Sequence, residues 1–479
     1  MSGESTVEIC TREGQPIHLR YVAFLACTAA LGGLLFGFDV AIITGAGPFI
    51  AHEFALTDFG LGWAFSSLLF GCVVGSFLVG RIADRYGRKR LLLADAVLFA
   101  VTSTATAWAP HFTEFVIARF LGGLAVGGVS LLSPMYVAEI APASIRGRLG
   151  SLYQLSIIFG ICVSYGVNYL LRDFGANNWR WMFMTGVLPS IVFFILIALA
   201  PETPRFLALH GRSTEALTVL KRIGGADSAE AVLAEILATG HRGDRGWRQL
   251  LRPGVRRAVA ASMALAVLIH VSGINTVVDF APVIFQSAGW KIEGALASTL
   301  LIGAVELLFT LAALYMIDRY GRKPLYIGGS IGMALSLSAL VFCVLAGRFE
   351  GMPVLVLILA YLAFFSACIG PVFWTLVPEI FPNDVRGMAM TIPVLVQWMA
   401  NSIVVLLFPY AFHVIGKAST FAFLAVMCIV QAVFTFLLIP ETRNKHLEEI
   451  EAYWMVKRES RIKQRKLRER GGLDRLNID

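Results

Sequence analysis

Charge is what this sequence has least of. Only 15% of its 479 residues are Asp, Glu, Lys or Arg, where a water-soluble chain carries about a quarter. With 57% of the residues hydrophobic and a mean hydropathy of +0.72, there are too few polar side chains to cover a water-facing shell. One large soluble core is thereby excluded. The seven Cys are scattered, with neither the spacing of a metal site nor that of a disulfide framework. There is no phosphate-binding glycine loop and no nucleophile set beside a base. The expectation is therefore no enzyme, no catalytic residue, no cofactor and no metal. Asp95-Ala96 and the glycine runs read as helix packing rather than as a phosphate cradle. The opening residues, with Glu4, Glu8 and Glu13 ahead of the first apolar run, lack the profile of a cleaved signal peptide.

The apolar residues are gathered into runs long enough to cross a bilayer, about twenty residues each. They begin near Tyr21, Leu61, Leu91, Glu114, Gly150 and Trp181, and again near Ala258, Ala295, Leu325, Pro353, Gly387 and Ala418. The polar segment Pro201–Arg257 separates the two sets. This predicts an N-terminal half over 1–200, a cytoplasmic linker of short helices over 201–257, a C-terminal half over 258–440 and a basic tail over 441–479. The tail is expected to be helical from His446 to Lys457 but too polar to span. A net charge of +8 raises the possibility of nucleic acid, but the Lys and Arg lie in short blocks between apolar runs and in the tail. Placing both termini and the linker in the cytoplasm puts most of the basic residues on that side, as the positive-inside rule requires, where they face anionic lipid. The expected partners are a small-molecule substrate, protons and the bilayer, with no nucleic acid, in a monomer of a bacterial inner membrane.

The chain repeats itself. Asp84-Arg85-Tyr86-Gly87-Arg88-Lys89 returns as Asp318-Arg319-Tyr320-Gly321-Arg322-Lys323, and Pro201-Glu202-Thr203 returns as Pro440-Glu441-Thr442. Glu139 precedes Arg146-Gly147 by the same spacing as Glu379 precedes Arg386-Gly387. Three matches in order at one period define two parallel repeats. Such repeats are related by an axis along the membrane normal, and they put a substrate site between the halves near the bilayer midplane.

Together with Gly37-Phe38-Asp39, the stretch Gly80 to Arg90, Ala118 to Gly123, Pro134 to Glu139, Pro201 to Arg205, Gly273-Ile274-Asn275 and Gly370 to Trp374, these repeats resemble the sugar porter family of the major facilitator superfamily over nearly the full length. The likeness is closest to the bacterial xylose–proton symporter type. The resemblance implies an all-α membrane protein of twelve helices in two pseudo-symmetric halves, and proton-coupled symport of a sugar or polyol by alternating access.

Asp39 and Arg119 are the intramembrane charges of the first half. Ionised groups there cost at least roughly 2.5–3.5 kcal/mol, so they face a cavity and pair. An Arg stays charged, so an Asp beside it pairs while ionised and leaves the pair when protonated. The resemblance assigns this pair to proton coupling. Asp84, Arg85, Arg88, Glu139 and Arg146, with their repeats Asp318, Arg319, Arg322, Glu379 and Arg386, can pair bidentately between helix ends. The resemblance makes them ion pairs that close the cytoplasmic side. Solvated anchors obeying the positive-inside rule are the plainer reading.

Substrate contacts are sought among polar and aromatic residues on apolar helices: Gln154, Asn275, Trp374, Gln397, Asn401 and, more weakly, Phe36. Amides both donate to and accept from hydroxyls. Gln397 and Asn401 are four apart and share a face. The family resemblance supplies the sugar-contact role for Gln154, Asn275, Trp374 and Gln397. Interhelical amide bonds are the structural alternative. Three positions depart from the family pattern, His270, Asp279 and Glu306, where it places neutral or aromatic contacts. On a continuous helix His270 and Asp279 face nearly opposite sides, while Asn275 and Asp279 share a face. Two carboxylates at one cavity call for a bound cation, a substrate amine or a second proton, or else they accept from sugar hydroxyls. The rival functions are transport of an amino-bearing or cationic solute, uniport without proton coupling, and a nutrient sensor.

Overall fold

The computed structural model describes residues 9–10, 16–142, 145–240, 250, 252–381 and 386–443. Within them, twelve helices are long and apolar enough to cross a membrane. Spans 1 to 6 are Arg20–Glu53, Asp58–Tyr86, Arg88–Ala107, Phe112–Ile140, Leu152–Leu171 and Asn178–Leu199. Spans 7 to 12 are Gly254–Asp279, Ile292–Ile317, Arg322–Leu345, Gly351–Ile380, Ala389–Ile415 and Lys417–Leu438. Each predicted apolar run has its span. The helices Pro204–Leu209, Ser213–Gly224 and Ala226–Gly240 follow span 6. Ile9–Cys10 pairs antiparallel with Pro16–Ile17, a two-residue ladder that the all-α expectation did not foresee. The tail helix expected at His446–Lys457 lies outside the described residues, as do the side chains of Arg146, Asp318 and Arg386.

Packing repeats with the sequence. Span 1 lies on span 5, span 2 on span 4, and span 3 on spans 4 and 6. In the second half span 7 lies on span 11, span 8 on span 10, and span 9 on spans 10 and 12. The halves meet where span 2 packs on span 11 and span 5 on span 8. With lipid outside and little hydrophobic drive between helices, such contacts rest on close backbone approach. Gly62 shows it best: a Cβ there would overlap the Leu406 carbonyl oxygen of span 11.

Two spans are broken at mid-depth. Span 7 stops as a regular helix at Val271, resumes as Ile274–Asp279, and is followed by Ala281–Ser287. Gly273 makes the break at φ +95°, a left-handed conformation open to glycine at little cost. The Ser272 carbonyl exposed at the break accepts from Tyr361 Oη at 3.1 Å, as a backbone group buried away from water must. Span 10 breaks at Ile369, between helices Gly351–Cys368 and Gly370–Ile380, where Pro371 supplies no amide hydrogen to the ladder. Discontinuous helices of this kind are how transporters bring polar groups to a midplane site.

Candidate functional site

Span 4 carries Arg119 and span 1 carries Asp39. Arg119 is 1% exposed. Its Nη1 donates to Asp39 Oδ1 at 2.8 Å and to the Asp39 carbonyl at 3.1 Å, and the guanidinium lies 5.4 Å from the Phe183 ring centre. Nε and Nη2 have no hydrogen-bond partner. The ion pair is thus held by one of three guanidinium nitrogens. Protonating Asp39 would reduce the ion pair to a neutral contact, beside the contact to the Asp39 carbonyl.

Facing them, the second half presents Asp279 and Glu306, both nine-tenths buried or more. Asp279 is in electrostatic range of Glu306 and, across the interface, of Arg119. Between His270 and Asp279 the helix is interrupted at Gly273. His270 lies beside Asn275, although neither ring nitrogen makes a hydrogen bond of normal geometry. On span 11, Gln397 and Asn401 are buried, each with an unpartnered carbonyl oxygen. Phe36 of span 1 meets Trp398 of span 11 with ring centres 5.5 Å apart, a contact between halves. Gln154 is half-buried on span 5. Trp374 is 43% exposed, edge-on to Phe373. Neither is hydrogen-bonded to another candidate among the described residues.

At the linker end the charge motifs form two matching clusters. Arg88 Nη2 meets Asp84 at 2.8 Å and Glu139 at 2.9 Å; Arg322 Nη2 meets Glu379 at 3.1 Å. Two expectations need correction. The Arg88 contacts are not bidentate, since its Nη1 is engaged by the Ala83 carbonyl. The pairs seen join helices of one repeat. Arg85 and Arg319 stand outside the ion pairs among the described residues. One helical residue rotates the side chain by about 100°, which turns them to Tyr86 and to Tyr315, whose hydroxyl accepts from Arg319 at 2.8 Å. For Arg146, Asp318 and Arg386, nothing within the described side chains bears on a gate.

Sequence reasoning noted the Pro-Glu-Thr repeat but gave its acids no role. Glu202 accepts from the backbone N–H groups of Arg88 and Lys89, and Glu441 from those of Arg322 and Lys323. Each carboxylate closes the N-terminus of a span, where unpaired amides and the helix dipole favour a negative charge. Gly87 and Gly321, at φ +91° and +92°, form the turn, and a Cβ on either would meet that carboxylate. The two motifs are therefore one structural unit, and their shared offset in the sequence was the signal.

Burial ranks these contacts. The Asp84 side chain is 82% exposed, that of Glu139 only 10%. Removing one partner of a buried pair costs about 3–5 kcal/mol, while an exposed pair contributes about 0–1 kcal/mol. Glu139→Ala is expected to lower the melting temperature of the purified protein clearly, and Asp84→Asn barely. Equal shifts in a thermal melt would contradict this ranking.

The opposite end is closed. Phe65 of span 2 packs tilted on Phe280 at 4.3 Å, while Phe280 stacks on Phe408 at 5.2 Å and Phe408 on Phe412 at 5.5 Å, so rings from both halves meet there. Beside them His413 Nδ1 lies 2.6 Å from Asp58 Oδ1, a half-exposed link between span 11 and span 2. Nothing in the sequence pointed to this pair. A pair so exposed contributes up to about 1 kcal/mol, a factor of about five in a population. Asp58→Asn is expected to raise labelling of a reporter Cys facing that end by about two- to fivefold. Unchanged labelling would show that the pair does not hold the end shut.

Comparison with known proteins now places this architecture. The model of the sugar (and other) transporter family matches residues 25–454. The arabinose–proton symporter of Bacillus subtilis (strain 168) is 38% identical over 450 residues, covering 91% of this chain and 95% of the relative. The D-xylose–proton symporter of Escherichia coli (strain K12) is 36% identical over 476 residues, covering 91% and 96%. Among solved structures, the inward-open conformation of the xylose transporter XylE from E. coli superposes with a TM-score of 0.80 at 34% identity, covering 90% of this chain and all of that one. XylE bound to 6-bromo-6-deoxy-D-glucose gives 0.77 at 36% identity, covering 91% and 99%. The protein is thus a multi-pass membrane transporter of the major facilitator fold, not an enzyme, and it belongs to the sugar (and other) transporter family.

Proposed function

We propose that this protein is a proton-coupled symporter of a sugar or sugar-like polyol that works by alternating access between its halves. The observation that carries the reading is the Asp39–Arg119 pair, a protonatable carboxylate bound to a permanent cation inside the membrane at 2.8 Å. Relatives named as proton symporters of arabinose and xylose support it. The basic residues near the linker orient that end to the cytoplasm. Both termini are then cytoplasmic, the Asp58–His413 end is external, and the closed external end belongs to an inward-facing stage of the cycle. The protein acts as a monomer in a bacterial inner membrane, with the halves 1–200 and 258–440 rocking about the site.

The chemistry follows from the geometry. A proton arriving from outside neutralises Asp39 and loosens its hold on Arg119. Arg119 then lacks its countercharge, which raises the energy of this arrangement and lets the loaded carrier change state. A ligand shifts this equilibrium only by its difference in affinity for the two states, so proton and sugar must each favour the same transition. His270, Asn275, Gln397 and Asn401 supply polar contacts for hydroxyls, Gln154 and Trp374 complete the cavity wall, and Phe36 on Trp398 closes over it. The charge clusters around Glu139 and Glu379, with Arg146 and Arg386, act at the cytoplasmic gate.

The test is uptake of labelled pentoses, hexoses and inositol into proteoliposomes with an inward proton gradient. Accumulation above the external concentration, abolished by a protonophore, is expected for at least one substrate. Equilibration without accumulation would replace symport by uniport, and binding without flux would replace it by sensing.

A further inference from the structure

The break of span 7 is sustained by its neighbours. In an unbroken helix the Thr276 N–H would donate to the Ser272 carbonyl, four residues back. Here the first backbone bond of the outer helix runs from the Val277 N–H to the Gly273 carbonyl at 2.9 Å. The Ser272 carbonyl is taken from the side instead, by Tyr361 Oη of span 10 at 3.1 Å and, more loosely, by Cys428 Sγ of span 12 at 3.8 Å. Ser272 and Tyr361 are both fully buried, and a carbonyl at such a place needs a donor from the protein. Two arrangements supply one: the broken helix through Tyr361, or a continuous helix through Thr276. Gly273 suits both, because glycine takes φ +95° and the negative φ of a helix about equally readily.

What lies beyond the break belongs to the site and to the closed end. The short helix Ile274–Asp279 carries Asn275, and its C-cap Phe280 lies among the rings that join the halves, 4.3 Å from Phe65 and 5.2 Å from Phe408. Resting on the alternating-access reading above, we propose that Tyr361 is a positioning residue for transport, whose hydroxyl on the Ser272 carbonyl sustains the break and so holds Asn275 in the site and Phe280 in the closed external end. Without that hydroxyl the continuous helix is favoured, since it brings its own donor, and Phe280 leaves the rings of the other elements.

The experiment uses the full-length protein with a reporter Cys facing the external end, labelled by a maleimide with no substrate added. Tyr361→Phe removes one oxygen and is expected to raise labelling about three- to tenfold, the scale of a buried acceptor left without its donor. Tyr326 of span 9 is also fully buried, but its hydroxyl has no hydrogen-bond partner. Tyr326→Phe therefore makes the same change in volume and should leave labelling unaltered. Gly273→Ala opposes the left-handed turn, and the added methyl presses only on the end of the Leu424 side chain. It should raise labelling as well, and the double variant should exceed the stronger single one by less than about twofold, because both act on one element. Should Tyr361→Phe not fold, Tyr361→Met removes the hydroxyl on a more adaptable side chain. A merely structural role would lower the melting temperature and leave labelling of the folded protein unchanged. The proposal is overturned by that result, by an equal rise in Tyr326→Phe, or by effects of Tyr361→Phe and Gly273→Ala that multiply. Labelling needs no substrate, so these outcomes bear on Tyr361 alone; failure of every sugar and polyol to accumulate removes the symport reading and leaves the labelling result standing.

Discussion

Asp39→Asn leaves the protein able to bind and exchange substrate but unable to concentrate it. The substitution keeps the shape of the side chain and the carbonyl contact to Arg119 Nη1 at 3.1 Å, while the 2.8 Å ion pair becomes a neutral contact. The residue then resembles the protonated state at every pH. A carrier fixed in that state can move its loaded form back and forth, but it takes up no proton outside and releases none inside. In proteoliposomes, the substrate gradient sustained by a proton gradient is expected to collapse to unity, with counterflow exchange within about fivefold of wild type. Because Arg119 is a buried cation, losing its countercharge also destabilises the fold by about 3–5 kcal/mol; exchange activity in the same preparation separates that loss from the loss of coupling. Accumulation persisting in the variant would exclude Asp39 as the proton carrier.

Gly62→Trp should stop the cycle on the other side. Spans 2 and 11 belong to opposite halves and approach so closely at Gly62 that even a Cβ would overlap the Leu406 carbonyl. An indole at this point can be accommodated only if the halves stay apart. The neighbouring stack of Phe65, Phe280 and Phe408 would open with them. Overpacking costs about 1–3 kcal/mol where side chains can yield, and here the obstacle is backbone. A penalty of about 3 kcal/mol on one state lowers its population more than 100-fold. Net uptake is therefore expected to fall by about two orders of magnitude. Substrate binding from the external side should persist, and a reporter Cys on that face should become accessible. Uptake at the wild-type rate would show that the contact opens without cost or is not made during transport.

Membrane location, the twelve spans and the pairing of halves were legible in the chain, because each depends on local composition or on repetition. A run of about twenty apolar residues has few other stable destinations. The repeated Asp-Arg-Tyr-Gly-Arg-Lys and Pro-Glu-Thr segments reported the symmetry without any contact being known. Asp39 and Arg119 were legible for a related reason: charge inside a membrane is costly enough to require a partner.

What lay beyond the sequence depends on geometry over long separations. That Glu202 and Glu441 cap the helices beginning at Arg88 and Arg322 follows from residues more than a hundred positions apart meeting at a glycine turn. The His413–Asp58 link joins residues 355 positions apart, and no local pattern encodes it. The break of span 7 at the left-handed Gly273 was not foreseen either, because a helical wheel presumes unbroken helix. Arg85 and Arg319 were grouped with their ion-pairing neighbours because adjacency in sequence is not adjacency on a helix surface. The sequence by itself therefore determined the solvent, the number of crossings and the two-fold repeat, since transfer energies and repetition act locally. Only the tertiary structure decided which charges meet and at which end aromatic rings from both halves pack together, since those depend on how the two halves face each other.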